Sequence, residues 1–160
     1  MSNQLYWEDV NIGGEVTTLS KVATREMLVR WAGASGDFNP LHYDYFYAKA
    51  QGQPDVVITG GLKRAWLIQL VTTWIGDLGT LKKFSCSFRA PDFTCETQTM
   101  DQLFYLRQPP PGVTHFCKGK VTKKYVEGEE HFVECDIWVE DNKGKLTTPG
   151  TATAVLPSKG

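Results

Sequence analysis

The segment from residue 60 to residue 75 constrains the fold of this chain more than any other. Apolar side chains occupy most of its positions and leave almost no polar face beyond its first turns: Leu62, Ala65, Trp66, Leu67, Ile68, Leu70, Val71, Trp74 and Ile75. A helix that is apolar nearly all the way round is stable only when other elements surround it. The rest of the chain is therefore expected to wrap around one buried helix.

Beyond this helix the apolar pattern changes its period to that of a strand. Apolar and polar residues alternate over 84–88 and again over 133–139, as they do in strands with one buried face. Turn-forming residues at 127–130 and 141–144 separate such runs. These features predict an antiparallel sheet curled around the helix, in an α+β fold. No linker or repeat interrupts the pattern, so we expect one domain spanning residues 1–160.

The first third of the chain predicts smaller elements. Residues 16–22 have an extended pattern, and Thr24 is placed to cap a short amphipathic helix that follows it. A second short helix is expected near 45–50, with Asp44 as its cap. The segment between these two helices holds the most chemically distinctive residues of the chain.

Charge and composition exclude several classes of partner. A formal net charge of −1 over 160 residues argues against nucleic acid or an anionic membrane as a general partner, since both call for a basic face. The longest apolar stretch is too short to span a bilayer, and the first residues lack the pattern of a signal peptide. Four cysteines without paired spacing indicate free thiols in a reducing compartment. We therefore expect a cytoplasmic protein.

The stretch SGDFNPLHYD, residues 35–44, places Asp37 and His42 on either side of a proline. They are five positions apart, so a helix would separate them by about 140° and a strand would send them to opposite faces. A bend at Asn39-Pro40 can bring them together instead, because proline fixes its own φ and drives the preceding residue toward an extended conformation. The loop could then hold a carboxylate and an imidazole at the separation that a shared water molecule needs.

An ordinary polar turn is the alternative, since aspartate and asparagine often bond to nearby backbone. The whole string, however, resembles the signature of the MaoC-like (R)-specific enoyl-CoA hydratases, in which Ser-Gly-Asp-Phe-Asn-Pro-Leu-His recurs almost letter for letter. The resemblance continues through YWEDVNIGGEV, ITGGL, FSCSFRAPDF and TPGTATAVLP, and so extends over nearly the whole chain.

This resemblance implies a hot-dog fold, which is an antiparallel sheet wrapped around one central helix. It also implies hydration of trans-2-enoyl thioesters to (3R)-3-hydroxyacyl thioesters, or the reverse dehydration. Asp37 and His42 match the catalytic aspartate and histidine of the family, and the backbone N–H of Gly60 matches the group that polarises the thioester carbonyl. No cofactor is implied beyond the coenzyme A or pantetheine thioester that forms the substrate.

The resemblance further implies a substrate-binding role for residues beside this pair, namely Asn39, Thr59 and Gly61. Thr59 departs from the family pattern, in which a histidine precedes the glycine. Two further departures are Ile68, where some members carry a hydroxyl, and Cys95, where relatives usually have a turn. A helix start that needs φ freedom is the structural alternative for the two adjacent glycines.

Lys63 and Arg64 fall in the first turns of the predicted helix, where the helix dipole disfavours cations. Two readings are open: they bind the phosphates of coenzyme A or pantetheine, or they extend from an apolar helix to water. His115 and His131 lie in strand-like segments without an acidic or cysteine neighbour at ligand spacing, so we interpret them as structural or exposed. No metal site is expected.

Alternatives to a self-sufficient hydratase are a subunit of a hetero-oligomeric MaoC-like dehydratase, a hot-dog thioesterase and an acyl-CoA binding protein. The lack of Asp and Glu between residues 60 and 75 counts against the thioesterase, which usually presents an acid from that region. Hot-dog proteins often build each site from two chains, so we expect a homodimer, a higher oligomer or a hetero-oligomer. The five tryptophans suit either an interface or a bulky core. The acyl chain, the choice between coenzyme A and carrier protein, and the physiological direction stay open.

Overall fold

The computed structural model describes residues 4–95 and 112–160. The helices are α1, Arg25–Ser35, α2, Tyr45–Ala50, and α3, Gly60–Ile75. The strands are β1, Glu15–Ala23, β2, Thr80–Cys86, β3, Val113–Glu127, β4, Glu130–Glu140, and β5, Leu146–Leu156. Two single-turn 3₁₀ helices span Trp7–Asp9 and Pro40–His42.

These strands form one antiparallel sheet in the order β1-β3-β4-β5-β2. Hairpins join β3 to β4 and β4 to β5, and β1 and β2 pair with the outer sides of this meander. Both turns lie where the sequence predicts them. Gly128 turns the first hairpin with a left-handed φ of 62°, and Asp141 starts the second turn by bonding to Gly144 and Lys145.

Helix α3 packs across the sheet and contacts all five strands. Its buried side chains meet the buried faces of the strands in a single core: Leu62, Trp66, Leu67, Leu70, Val71 and Ile75 from the helix, and Val16, Cys117, Val121, Val133, Cys135, Ile137, Val139, Ala152, Ala154 and Leu156 from the sheet. Burying one large aliphatic side chain is worth about 1.5–3 kcal/mol. The predicted sheet around one apolar helix is confirmed, although Arg64, Gln69, Thr72 and Thr73 give α3 a longer exposed side than its pattern indicated.

The small elements begin where local capping predicts them. Thr24 Oγ1 accepts a hydrogen bond from Met27 N at 3.1 Å and starts α1. Asp44 Oδ1 accepts from Tyr47 N at 3.1 Å and starts α2. Gly36 ends α1 with a left-handed φ of 74°, a conformation that favours glycine. This turn leads the chain out of the helix and into the loop that holds the motif.

One apolar residue of the predicted strand pattern is not buried as expected. The strand predicted over 84–88 ends at Cys86, and Phe88 is 53% exposed, so the prediction of a buried Phe88 is wrong.

Trp66 is buried and the other tryptophans are half-buried, which favours their role in the core. Exposed aromatic side chains do occur among the described residues, but they are phenylalanines and tyrosines: Phe38, Tyr43, Phe46, Tyr47 and Phe88.

The cysteines are free thiols, as the sequence predicts. Burial raises the pKa of the Cys117 and Cys135 thiols to about 12, which keeps both protonated at neutral pH. In the ranges that the structure describes, no helix has both the length and the apolar character needed to cross a membrane.

Candidate active site

The loop after α1 bends at Asn39 and brings Asp37 and His42 near each other. Asn39 Oδ1 accepts a hydrogen bond from Leu41 N at 3.0 Å and so caps the 3₁₀ turn Pro40–His42. Proline suits the first position of this turn because its φ is already fixed and its missing N–H is not needed there. The bend predicted at Asn39-Pro40 is thus present, and the asparagine side chain shapes it.

A backbone contact determines which ring nitrogen of His42 can act. Its Nδ1 lies 2.7 Å from the carbonyl oxygen of Val57, and a carbonyl oxygen can only accept a hydrogen bond. We therefore assign the proton to Nδ1, which leaves a lone pair on Nε2 of the neutral ring. Nε2 lies 3.8 Å from Asp37 Oδ2, beyond direct hydrogen-bond distance.

The Asp37 carboxylate is held at the edge of solvent, with its side chain 44% exposed. Its Oδ1 accepts from Asn39 N at 3.4 Å, and its Oδ2 accepts from Thr59 Oγ1 at 3.2 Å. Asp37 Oδ2 and His42 Nε2 are thus two acceptors that face each other across a gap. Such a pair can hold one water molecule by both of its hydrogens and take a proton from it.

The N-terminus of α3 opens onto the same cleft as His42. This cleft has a volume of about 280 Å³, and His42, Val57, Gly60 and the segment 88–91 line it. Thr59 provides no side-chain cap to α3. The Gly60 N–H belongs to the first turn, where helices lack internal acceptors, and the helix dipole adds positive partial charge there. An anionic oxygen in the cleft can therefore be stabilised by this end of the helix.

Close packing, and not backbone conformation, favours glycine at position 60. Neither Gly60 nor Gly61 has a positive φ, so the alternative based on φ freedom does not apply. A Cβ on Gly60 would come within 2.8 Å of two ring carbons of Phe88, and one on Gly61 would lie 3.2 Å from the Trp31 ring. The Phe88 ring therefore forms a wall of the cleft directly against the start of α3.

The other residues predicted to bind substrate have different surroundings. Thr59 and Gly61 flank Gly60 at the start of α3, while the Asn39 side chain is engaged with its own loop. Ile68 is half-buried two turns further along α3. Substrate contacts of Asn39, Thr59 and Gly61 stay predictions.

Lys63 lies in the interior, so the reading in which it extends to water is wrong. Its side chain is 2% exposed, and Nζ donates to Asp92 Oδ2 at 2.8 Å and to the Ala90 carbonyl at 3.1 Å. The ammonium group therefore does not reach water and is bound by two protein oxygens. Lys63 also lines the cleft, and its contact with a phosphate stays a prediction. Arg64, the next residue, is exposed.

Asp92 is the centre of a buried polar cluster that sequence spacing did not reveal. Besides Lys63, it accepts a hydrogen bond from Thr147 Oγ1 at 2.6 Å, and His115 Nε2 lies 3.6 Å from its Oδ1. Burial raises the pKa of the Asp92 carboxyl, but the contacts with His115, Lys63 and Thr147 outweigh burial and lower that pKa. His115 is buried, as its structural reading predicts, and its acidic neighbour comes from a distant segment.

Cys95 has a structural contact of its own. Its thiol donates to Asp55 Oδ2, and Arg25 forms an ion pair of 2.6 Å with Oδ1 of the same carboxylate. Burial and the neighbouring Asp55 raise the pKa of Cys95 to about 11, so the thiol is protonated at neutral pH. Among the residues that the structure describes, no group of three or more His, Cys, Asp or Glu side chains is arranged to hold a metal ion.

The sequence matches a protein-family model described as "MaoC like domain" over residues 9–100, which is more than half of the chain. The matched range contains the loop with Asp37 and His42 and all of α3. This chain belongs to the MaoC-like domain family. The comparison with curated proteins gives no match.

Solved structures with a similar fold include two (R)-hydratases. The (R)-hydratase from A. caviae involved in PHA biosynthesis is 21% identical, with a TM-score of 0.74, over 94% of this MaoC-like chain and 99% of that one. The unliganded R-hydratase PhaJ1 from Pseudomonas aeruginosa is 19% identical, with a TM-score of 0.75, over 98% and 88%. The ChsH1–ChsH2 complex from Mycobacterium tuberculosis is 18% identical, with a TM-score of 0.71, over 92% and 98%. These likenesses confirm the predicted α+β hot-dog fold.

Proposed function

We propose that this MaoC-like protein adds water to trans-2-enoyl thioesters of coenzyme A or a carrier protein, giving (3R)-3-hydroxyacyl thioesters, or runs the reverse dehydration. The observation that carries the proposal is that His42, whose Nε2 lies 3.8 Å from Asp37 Oδ2, lines the same cleft as Gly60 at the N-terminus of α3. Membership of the MaoC-like family supports hydration or dehydration as the general reaction. No cofactor is required beyond the thioester itself.

In this proposal one water molecule is held between Asp37 Oδ2 and His42 Nε2. At about 2.8 Å from each, an ordinary hydrogen-bond length, it would bridge the two acceptors. Its oxygen forms the new bond to C3 while the C2=C3 π electrons move toward the thioester. The pair takes one proton from the water and returns one to C2, so the protein is unchanged by turnover. A positioned acid–base pair contributes about 10²–10⁴-fold.

The thioester carbonyl oxygen gains negative charge during this step. We assign its stabilisation to the Gly60 N–H, because this group lies at the positive end of α3 and in the cleft with His42. One such backbone donor contributes about 10²–10³-fold in enzymes that use it. The exposed Arg64 is proposed to bind a phosphate of coenzyme A or pantetheine, and Asn39 and Gly61 to border the bound thioester.

A second chain is proposed to complete the site. The cleft of one chain, about 280 Å³, is at the lower limit of ligand pockets, which are roughly 300–1,000 Å³. The partner is either another copy of this chain or a related hot-dog subunit, and one structure of similar fold is that of the ChsH1–ChsH2 complex. The free thiols support a cytoplasmic location for this assembly.

An enoyl-CoA panel tests the proposed function. Purified protein is mixed with crotonyl-CoA and longer trans-2-enoyl-CoA esters, the loss of enoyl absorbance is followed, and the native mass is measured in parallel. Asp37→Asn and His42→Ala should each reduce the rate by at least about 10²-fold. Asp44→Asn is the matched control, because it removes another carboxylate from the same loop while asparagine caps α2 equally well.

Other outcomes identify the alternatives. Full activity of Asp37→Asn or His42→Ala contradicts the proposed site. Activity that appears only with a co-expressed hot-dog subunit supports the hetero-oligomer. Release of free coenzyme A thiol indicates a thioesterase, and stoichiometric binding without turnover indicates an acyl-CoA binding protein.

A further inference from the structure

We infer that Thr59 is a positioning residue that holds the Asp37 carboxylate in place, and not a residue that binds the substrate. The inference rests on the proposed hydration at Asp37 and His42. It concerns the position where the sequence departs from the histidine of the resembling family.

Thr59 lies where a threonine side chain normally caps a helix, yet it does not do so. It is the residue before α3, with extended φ and ψ of −60° and 137°, and its side chain makes no cap hydrogen bond. Threonine at this position usually accepts from an N–H of the first turn. Here Oγ1 instead donates to Asp37 Oδ2 at 3.2 Å, across 22 residues of sequence.

The oxygen that Thr59 holds is the one that faces the histidine. Asp37 Oδ2 lies 3.8 Å from His42 Nε2, whereas the other carboxylate oxygen has only a 3.4 Å contact with a backbone N–H of its own loop. With its side chain 44% exposed, Asp37 has little packing to fix its rotamer. The Thr59 hydroxyl is thus the contact that connects the exposed loop to the rigid start of α3.

Burial makes Thr59 suited to this task. Thr59 is 4% exposed and its branched Cβ restricts χ1, so packing sets the direction of the hydroxyl. Removing the hydroxyl leaves the fold of α3 intact, because no capping bond is lost. It leaves the Asp37 carboxylate free to rotate toward solvent and away from His42.

The test compares Thr59→Val, which has the same shape without the hydroxyl, with Thr59→Ser, which keeps it. With crotonyl-CoA, Thr59→Val should lower kcat about 10- to 100-fold with little change in KM, since a hydrogen bond to a charged group is lost. Thr59→Ser should recover most of that loss. In the Asp37→Ala background, which lacks the acceptor for the Thr59 hydroxyl, Thr59→Val should change the residual rate, measured at high enzyme concentration, less than about 2-fold.

Thr148→Val is the matched control. Thr148 is also a fully buried threonine, and its hydroxyl has no hydrogen-bond partner among the described residues, so kcat and thermal stability should stay as in the wild type. Thr59→Ala replaces Thr59→Val if the valine variant does not fold. An NMR measurement of the Asp37 side-chain carboxyl resonance is independent of turnover, and it should shift in Thr59→Val but not in Thr59→Ser.

The outcomes separate this inference from the proposed function. Wild-type kcat in Thr59→Val, or an equal loss with and without Asp37, overturns the positioning role. A raised KM with unchanged kcat does so as well, since it identifies Thr59 as a substrate contact. Full activity of Asp37→Asn overturns the proposed function itself.

Discussion

The pair Asp37–His42 and the pair Asp92–His115 are built from the same parts. In each, the histidine Nδ1 contacts a backbone carbonyl, at 2.7 Å and 3.1 Å, and Nε2 points to an aspartate oxygen, at 3.8 Å and 3.6 Å. In each, a threonine hydroxyl donates a hydrogen bond to the carboxylate. By distance alone, either pair would serve as an acid–base site.

Their surroundings give them different roles. The side chains of Asp37 and His42 are 44% and 13% exposed, and those of Asp92 and His115 are 1% exposed each. The buried carboxylate is also neutralised by Lys63. A charge that is removed from water must be paired, so the Asp92 carboxylate is used by its internal partners and is not open to a substrate. Access and counter-charge, more than separation, distinguish a candidate active site from a structural cluster.

The largest expected difference between the Asp37–His42 and Asp92–His115 pairs is in what they contribute to the stability of the fold. Lys63→Met should lower the free energy of unfolding by about 3–5 kcal/mol, because it leaves the Asp92 charge buried without its partner. Urea unfolding measures this. Arg64→Met is the control one residue along the same helix, and since Arg64 is exposed its effect should stay within about 0.5 kcal/mol. Equal effects of the two substitutions would contradict the buried ion pair.

The second expected difference is in acid sensitivity. Because the pKa of Asp92 is lowered below its ordinary value of 3.8, its charged form stabilises the fold above that pH, and this contribution is lost as the pH falls toward the folded-state value. The urea midpoint of the wild type should therefore drop on acidification below about pH 4. Asp92→Asn should start from a lower midpoint at pH 7 and lack that part of the drop. An identical acid loss in both proteins would show that Asp92 does not contribute.

The cleft beside His42 and the buried Asp92 cluster both adjoin the first turn of α3, through Gly60 and Lys63. A substitution in this turn tests whether activity can be changed without a loss of stability. Gly60→Ala places a Cβ against the Phe88 ring, which is 53% exposed and can move aside. We expect about a 10-fold loss of kcat/KM from the displaced cleft wall, equivalent to about 1.4 kcal/mol, with little loss of stability. Adding Phe88→Leu should restore part of the activity by making room. If the double variant is no more active than Gly60→Ala, the displaced Phe88 ring is not the cause of the lost activity.

The smallest expected effect is that of Asp37→Asn on stability. Since Asp37 is half exposed and asparagine keeps the acceptor for the Thr59 hydroxyl, the free energy of unfolding should change by less than about 0.5 kcal/mol. The same substitution should remove most of the turnover. A large loss of stability, measured by urea unfolding, would mean that this pair is structural in the same sense as Asp92–His115.

Much of the architecture and part of the site follow from local sequence patterns. The apolar run of α3, the alternation over 133–139, the caps at Thr24 and Asp44 and the bend at Asn39 all lie where the sequence predicts them. Each depends on residues a few positions apart, whose relation is set by the helix or strand period or by a single turn. These are interactions that the chain specifies before it folds.

The tertiary structure alone decided which polar residues meet. The Lys63–Asp92 and Thr147–Asp92 contacts join residues 29 and 55 positions apart, and Thr59 reaches Asp37 across 22. Such meetings depend on how α3 lies on the sheet and on where the strands end, and no spacing rule encodes them. The sequence by itself therefore determined the helix, the sheet and a loop able to bring an aspartate near a histidine. Long-range packing decided that Lys63 is buried, that Phe88 covers Gly60, and that Thr59 turns toward Asp37 instead of its own helix, because burial is a property of the assembled core and not of any segment.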